Sequence, residues 1–271
     1  MCCFLTGTIT YRNEPLCVQK ENPMSQEKWK VTFIITRQKG SEAPHTQSFE
    51  LEVDPDEYVL DGIERVWALH DRSLTFRHAC HHSTCGACGM RVNGVEKLTC
   101  ITTLRSVTHD GGVVRVEPLR NFPVVSDLVV DMSSLYVRLE QARFAQVAPV
   151  DTANLGYEPD PADGGDYERL VDCIECGCCI SACPVALTTP SYLGPAVLAG
   201  IQHSYINDPD PALLDFADQA DGVWRCHSAY ECTAVCPSNV DPAWRIMDLR
   251  RKVVGRRLTR LFGGRKLEAS R

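Results

Sequence analysis

Eleven of the fifteen cysteines in this chain stand in three spaced groups. Cys80, Cys85, Cys88 and Cys100 follow C-x4-C-x2-C-x11-C, and Cys173, Cys176, Cys179 and Cys183 follow C-x2-C-x2-C-x3-C-P. Cys226, Cys232 and Cys236 follow C-x5-C-x3-C-P. These groups constrain the fold more than any other feature, because their thiols must close around small inorganic cores. The first is the plant-type spacing of a 2Fe–2S cluster, the second is the bacterial 4Fe–4S spacing, and the third repeats the second with one ligand missing. Zinc sites also take four cysteines, but usually as two short pairs rather than three ligands within nine residues. Three clusters of different composition in one chain have little use except to pass single electrons along a line.

In the bacterial spacing the fourth cysteine ligates the other cluster. That rule assigns Cys173, Cys176, Cys179 and Cys236 to a 4Fe–4S cluster, and Cys183, Cys226 and Cys232 to a second one. The position that should supply the second cluster's fourth ligand is Ala229, which has no donor atom. A cubane lacking one protein ligand loses that iron most readily, so the expectation is a 3Fe–4S cluster. A 4Fe–4S cluster with an outside ligand is the alternative. Gly86 and Gly89 remove the Cβ where backbone must come close to the first cluster. Cys178 breaks the spacing and reads as a small buried residue; His81 and His82 read as surface residues. His227, next to Cys226, is placed to donate a hydrogen bond or relay a proton, or else it bonds only loop backbone.

An odd cysteine count, many close pairs and an N-terminus without a basic or long apolar leader argue against a disulfide framework and point to a reducing, cytoplasmic compartment. No run reaches the roughly 18 apolar residues of a membrane span. The net charge of −7 hides an asymmetry: residues 245–271 carry ten Arg and Lys against Asp248 and Glu268. The remainder is strongly acidic, which excludes nucleic acid as a partner for the body of the protein. In the tail, Ile246, Leu249, Val253, Leu258 and Leu261 recur between arginines as in a basic amphipathic helix. Such a helix suits an anionic membrane surface, or packs on its own domain with a solvated basic face.

Periodicity divides the chain. Residues 1–23 show none and read as an extension or a misassigned start. Alternation through Lys30 to Arg37 and again at Phe49, Leu51 and Val53 predicts a hairpin, and Leu60, Ile63, Val66 and Trp67 predict a helix over Glu57 to His70. Strands flank the Asn93-Gly94 turn, and a last strand covers Val113 to Val116. This is an α+β pattern: a β-grasp, plant-type ferredoxin-like domain over 24–125, then an α-helical, bacterial-ferredoxin-like domain over 126–244, with the basic tail over 245–271. Leu128, Met132, Leu135, Tyr136 and Leu139 predict that the helical part opens with a helix capped by Ser126 or Asp127. A linker rich in Pro, Asp and Gly runs from Pro149 to Gly165.

With these residues in hand, the chain resembles the iron–sulfur subunit of succinate dehydrogenase and quinol:fumarate reductase, the respiratory complex II family, over about residues 28–255. The stretches that carry the resemblance are F76-R-H-A-C-H-H-S-T-C-G-A-C-G-M, N121-F-P-V-V-S-D-L-V-V-D-M, C173-I-E-C-G-C-C-I-S-A-C-P and C226-H-S-A-Y-E-C-T-A-V-C-P-S-N-V-D-P. The resemblance implies a flavoprotein partner whose covalent FAD interconverts succinate and fumarate, and a membrane anchor that meets quinone. It places this subunit at the cytoplasmic face of the membrane, relaying electrons through the 2Fe–2S, 4Fe–4S and 3Fe–4S clusters in either direction. It also puts the quinone head group near Pro184, His227 and Arg250. Ubiquinone-reducing relatives carry a tryptophan shortly after the Cys-Pro, where this chain reads Cys183-Pro184-Val185-Ala186-Leu187-Thr188. Menaquinone is therefore favoured.

A self-sufficient dehydrogenase would need a nucleotide-binding unit, and no G-x-G-x-x-G opens a helix after a strand. The catalytic flavin must lie on another chain. A nearer rival is the iron–sulfur subunit of another flavoprotein oxidoreductase, such as thiol:fumarate reductase.

Overall fold

The computed structural model describes residues 28–144 and 173–261. The readings made for residues 1–23, for the Pro149–Gly165 linker and for the end of the tail lie outside them. Alternation produces the expected hairpin: β1 (Trp29–Arg37) pairs antiparallel with β2 (His45–Val53), and Trp29 faces Val53. Val31, Phe33, Ile35, Phe49, Leu51 and Val53 are buried on one face. Helix α1 (Val59–Leu69) covers that face with Val59, Ile63 and Val66, while Leu60 turns to the core shared with the helical half. Strands β3 (Gly89–Val92) and β4 (Val95–Leu98) flank the turn, where Asn93 and Gly94 both hold positive φ. The Asn93 side chain also accepts from the Arg115 N–H of β5 (Val113–Glu117). The sheet order is β2-β1-β5-β3-β4, with β5 parallel to β1 and every other pairing antiparallel. A five-stranded mixed sheet gripping one helix is the β-grasp arrangement.

The predicted helix from residue 126 starts later. A short hairpin, β6 (Val124–Ser126) and β7 (Val129–Val130), intervenes, and α2 spans Ser133–Gln141. Asp127 cannot cap a helix because its carboxylate is engaged elsewhere: it accepts from Arg37 Nε at 3.1 Å, the Gln38 N–H at 3.1 Å and the Thr75 N–H at 2.9 Å. Asp131 holds the true start, accepting from the Ser133 N–H at 2.9 Å. The apolar spacing straddled two cores, since Leu128 is buried under the sheet while Met132, Leu135 and Leu139 belong to the helical core.

The second half is helical: α3 (Cys178–Ser181), α4 (Pro184–Thr188), α5 (Pro195–Asn207), α6 (Pro211–Ala217), α7 (Glu231–Ala234) and α8 (Pro242–Leu261). Helix α5 is buried from Pro195 through Gln202 and forms its axis. The apolar face expected of the tail turns inward, with Ile246, Leu249 and Val253 of α8 buried in the same core. Arg256 and Arg260 pair with Asp215, and Arg257 pairs with Asp218, so α8 is clasped to its own domain. Among the described residues no helix is long and apolar enough to cross a membrane. One core joins the halves, for Cys88, Leu98 and Cys100 pack in the same cluster as Cys176, Cys178 and Ile180.

Candidate metal centres

The loop between α1 and β3 carries Cys80, Cys85 and Cys88, and Cys100 joins them from just beyond β4. Cys80 Sγ accepts N–H groups from His82 at 3.5 Å, Thr84 at 3.3 Å and Cys85 at 3.4 Å. These donors, His82 first, pull its thiol down to about 6, favouring the thiolate that iron requires. Cys88 and Cys100 are buried, and burial together with the bond to Cys88 pushes the Cys100 thiol up to about 11. The Thr99 N–H and hydroxyl both donate to the Cys88 carbonyl, holding the β4 end against the loop. Metal, which displaces the protons, relieves that burial cost. The donor set fits a cluster.

The other seven thiols fall into two cavities. Cys173, Cys176, Cys179 and Cys236 line one, while Cys183, Cys226 and Cys232 line another. The cause is local geometry: Gly177, in the left-handed region at φ 79°, starts α3, and Pro184 starts α4, so Cys183 turns away from the first three thiols. Burial pushes Cys173 up to about 11 and Cys232 up to about 12, and drives Cys179 and Cys183 upward as well. Thiols packed together in apolar surroundings are costly to ionise without a cation, which is the signature of a cluster cradle.

The sets lie close in space. Gly86, at φ 70°, is packed so tightly on the second motif that a Cβ would stand 2.6 Å from the Ile174 carbonyl oxygen and 2.9 Å from Cys176 Cβ. At Gly89 a Cβ would stand 3.1 Å from the Cys176 carbonyl oxygen and 3.5 Å from Cys178 Sγ. The sequence explained these glycines by approach to the first cluster; in the fold they also let the first loop touch the second motif.

A profile described as a 2Fe-2S iron-sulfur cluster binding domain matches residues 32–137, and one described as a 4Fe-4S dicluster domain matches residues 169–240. The fumarate reductase iron-sulfur subunit of Mycobacterium tuberculosis is 38% identical over 211 residues, covering 75% of this chain and 84% of the relative. The chain belongs to the fumarate reductase and succinate dehydrogenase iron–sulfur subunits. The succinate dehydrogenase iron-sulfur subunit of Coxiella burnetii is 30% identical to this subunit, covering 83% of it and 97% of the relative. Among solved structures, a chain of the Mycobacterium smegmatis Sdh1 complex in the apo form superposes with a TM-score of 0.75 at 26% identity, covering 86% of this chain and 98% of that one.

Within this iron–sulfur subunit, Pro184 and His227 are exposed and line the Cys183–Cys226–Cys232 cavity together with Ala229. Arg250 lies behind it, donating from Nη2 to the Cys226 and Val223 carbonyls at 2.7 Å each. Cys178 is buried with its thiol bonded to that of Cys176. Sequence reasoning missed three residues. Tyr192 is buried, and its phenol is held neutral by burial and by the neighbouring thiols of Cys226 and Cys183. Asn121 donates from Nδ2 to the Ile180, Ser181 and Cys183 carbonyls, bracing the turn that separates the two cavities. Glu96, on β4, accepts from the Ser181 hydroxyl at 2.7 Å and locks α3 to the sheet. Asn121 lies in a motif that carried the resemblance, whereas no spacing or composition marks Tyr192 or Glu96.

Proposed function

We propose that this subunit relays single electrons between a flavoprotein partner that carries FAD and interconverts succinate and fumarate, and quinone held with a membrane anchor at the cytoplasmic face. One observation carries the reading: three thiol sets adjoin in succession, the first loop packed on the second motif at Gly86 and Gly89, and Cys183 turned from the second set toward the third by the Gly177 and Pro184 helix starts. When bound, iron–sulfur clusters supply one-electron carriers. Cys80, Cys85, Cys88 and Cys100 hold the 2Fe–2S cluster, and Cys173, Cys176, Cys179 and Cys236 the 4Fe–4S cluster. Cys183, Cys226 and Cys232 hold the third, a 3Fe–4S cluster, because the facing residue Ala229 offers no donor.

The protein's own residues insulate and aim this path. Cys80 is tuned by amides, and the inner thiols are walled by Tyr192, Ile180 and Val185. Exposed Leu187, Trp224, Tyr230 and Trp244 lie on segments around the third cavity, an apolar rim suited to an anchor surface. Pro184 and His227 face that rim, and Arg250 fixes the Cys226 loop behind it, in keeping with quinone there; the lack of a tryptophan shortly after Cys183-Pro184 favours menaquinone. The chain is divided accordingly into a first cluster domain over 24–125, a second over 126–244 and a basic end over 245–271. Anaerobic counts of iron and acid-labile sulfide, followed by redox titration under EPR, test the reading. Three centres are expected, one an oxidised 3Fe–4S signal; fewer centres, or no such signal, refutes the assignment.

A further inference from the structure

Outside the thiol sets, one group of side chains converges without satisfying itself. Glu64 projects from α1 toward the cluster loop, where His78 and His81 bracket Cys80. His78 Nδ1 lies 3.0 Å from His81 Nε2, and Glu64 Oε1 lies 3.2 Å from the first and 3.3 Å from the second. The Glu64 oxygen is shut off from water and accepts no hydrogen bond. With the carboxylate ionised, no choice of histidine tautomer repairs this triangle. If one nitrogen donates and the other accepts, the accepting nitrogen turns its lone pair on the carboxylate oxygen. If both donate, two N–H groups face each other. One edge always repels.

We propose that these three atoms form a site for a divalent zinc-like ion, with water completing the coordination on the solvent side. A single cation at the centre satisfies all three lone pairs at once. Imidazole and carboxylate ligands at about 2.0–2.2 Å from such an ion stand about 3.0–3.5 Å from one another, the spacing found here. The imidazoles are prepositioned, with His78 stacked on Phe76 at 5.2 Å and His81 meeting His78 edge-on at 5.1 Å. Both histidines are open to solvent, at 40% and 43% exposure, so an ion can enter and keep a water ligand. Two His and one carboxylate leave the site open, unlike the closed four-thiol sites of structural zinc. The ion would tie α1 to the loop that presents Cys80 and Cys85.

The test uses the full chain carrying its clusters, so that the cysteine thiols are taken, stripped of loose metal by chelator and titrated with zinc chloride by calorimetry. One equivalent is expected to bind. Glu64→Gln, His78→Ala and His81→Ala should each weaken binding at least about tenfold, since even outer-shell losses at metal sites cost about 10–100-fold. Iron and sulfide contents should stay unchanged, which separates a lost ligand from a lost fold. His82→Ala, next in the chain and outside the triangle, should bind zinc as the parent does. No saturable binding, binding unaffected by the three substitutions, or an equal loss in His82→Ala overturns the proposal.

Discussion

Replacing Gly86 with alanine should wedge the first cluster loop away from the second motif. Two costs combine at this position. The left-handed φ of 70° disfavours any Cβ, by about 1–2 kcal/mol. The added methyl would also sit 2.6 Å from the Ile174 carbonyl oxygen, a backbone atom that cannot swing aside as a side-chain end can. Restoring ordinary contact requires the two loops to part by nearly an ångström, and overpacking of this kind costs about 1–3 kcal/mol more. Gly111 provides the control: its φ is 74°, yet nothing lies within 4 Å of the position of its Cβ. Gly111→Ala should therefore show the backbone cost alone, and Gly86→Ala about 2–5 kcal/mol in all. Chemical denaturation of both variants, read by circular dichroism with cluster content measured in parallel, makes the comparison. Stopped-flow reduction should show slower passage of electrons beyond the first cluster in Gly86→Ala. If the two variants lose equal stability, the first loop does not bear on the second motif as described.

Ala229→Cys places a thiol at the cavity of Cys183, Cys226 and Cys232, so the oxidised 3Fe–4S EPR signal should give way to a 4Fe–4S centre of lower potential; an unchanged spectrum would show that position 229 does not face the cluster. His227→Ala should impair quinone-linked turnover of the assembled complex while succinate oxidation by an artificial flavin-level acceptor continues, and equal loss in both assays would remove His227 from the quinone region. Asp127→Asn breaks a buried pair with Arg37 and should cost about 3 kcal/mol, measured by denaturant midpoint. The same network sets an acid limit. Burial raises the Asp127 carboxyl, but Thr75, Arg37 and Gln38 together hold it below its ordinary value, and Ser73 and Arg37 do the same for Asp71. Because both folded values lie below the unfolded value of about 4, their stabilisation is whole above that pH and drains away as pH falls below it. A denaturation series from pH 7 to about 3 should show this fall, and the fall should be shallower in Asp127→Asn.

Much of this architecture was readable before any coordinates because its signals are local. Thiol spacing announced the 2Fe–2S and 4Fe–4S dicluster domains, alternation and Asn93-Gly94 announced the sheet, and Leu60, Ile63 and Val66 announced α1. What escaped depended on partners far away in sequence. The start of α2 moved to Ser133 because Asp127 is claimed by Arg37 and Thr75, which lie 90 and 52 positions away. Leu128 fitted a helical stripe by spacing alone, and only the fold shows that it fills a different core from Met132. The tail followed the same logic: its apolar stripe was visible, but that Asp215 and Asp218 would clasp its arginines was not. Tyr192 gave no signal, since an aromatic in a loop means little until the thiols beside it are placed.

Cys88 and Cys100 share packing with Cys176 and Cys178, so the first and second thiol sets lean on one wall, although the sheet keeps a core of its own. Filling one station should therefore firm the next: a polypeptide denied iron at the first set is expected to hold slacker walls at the second.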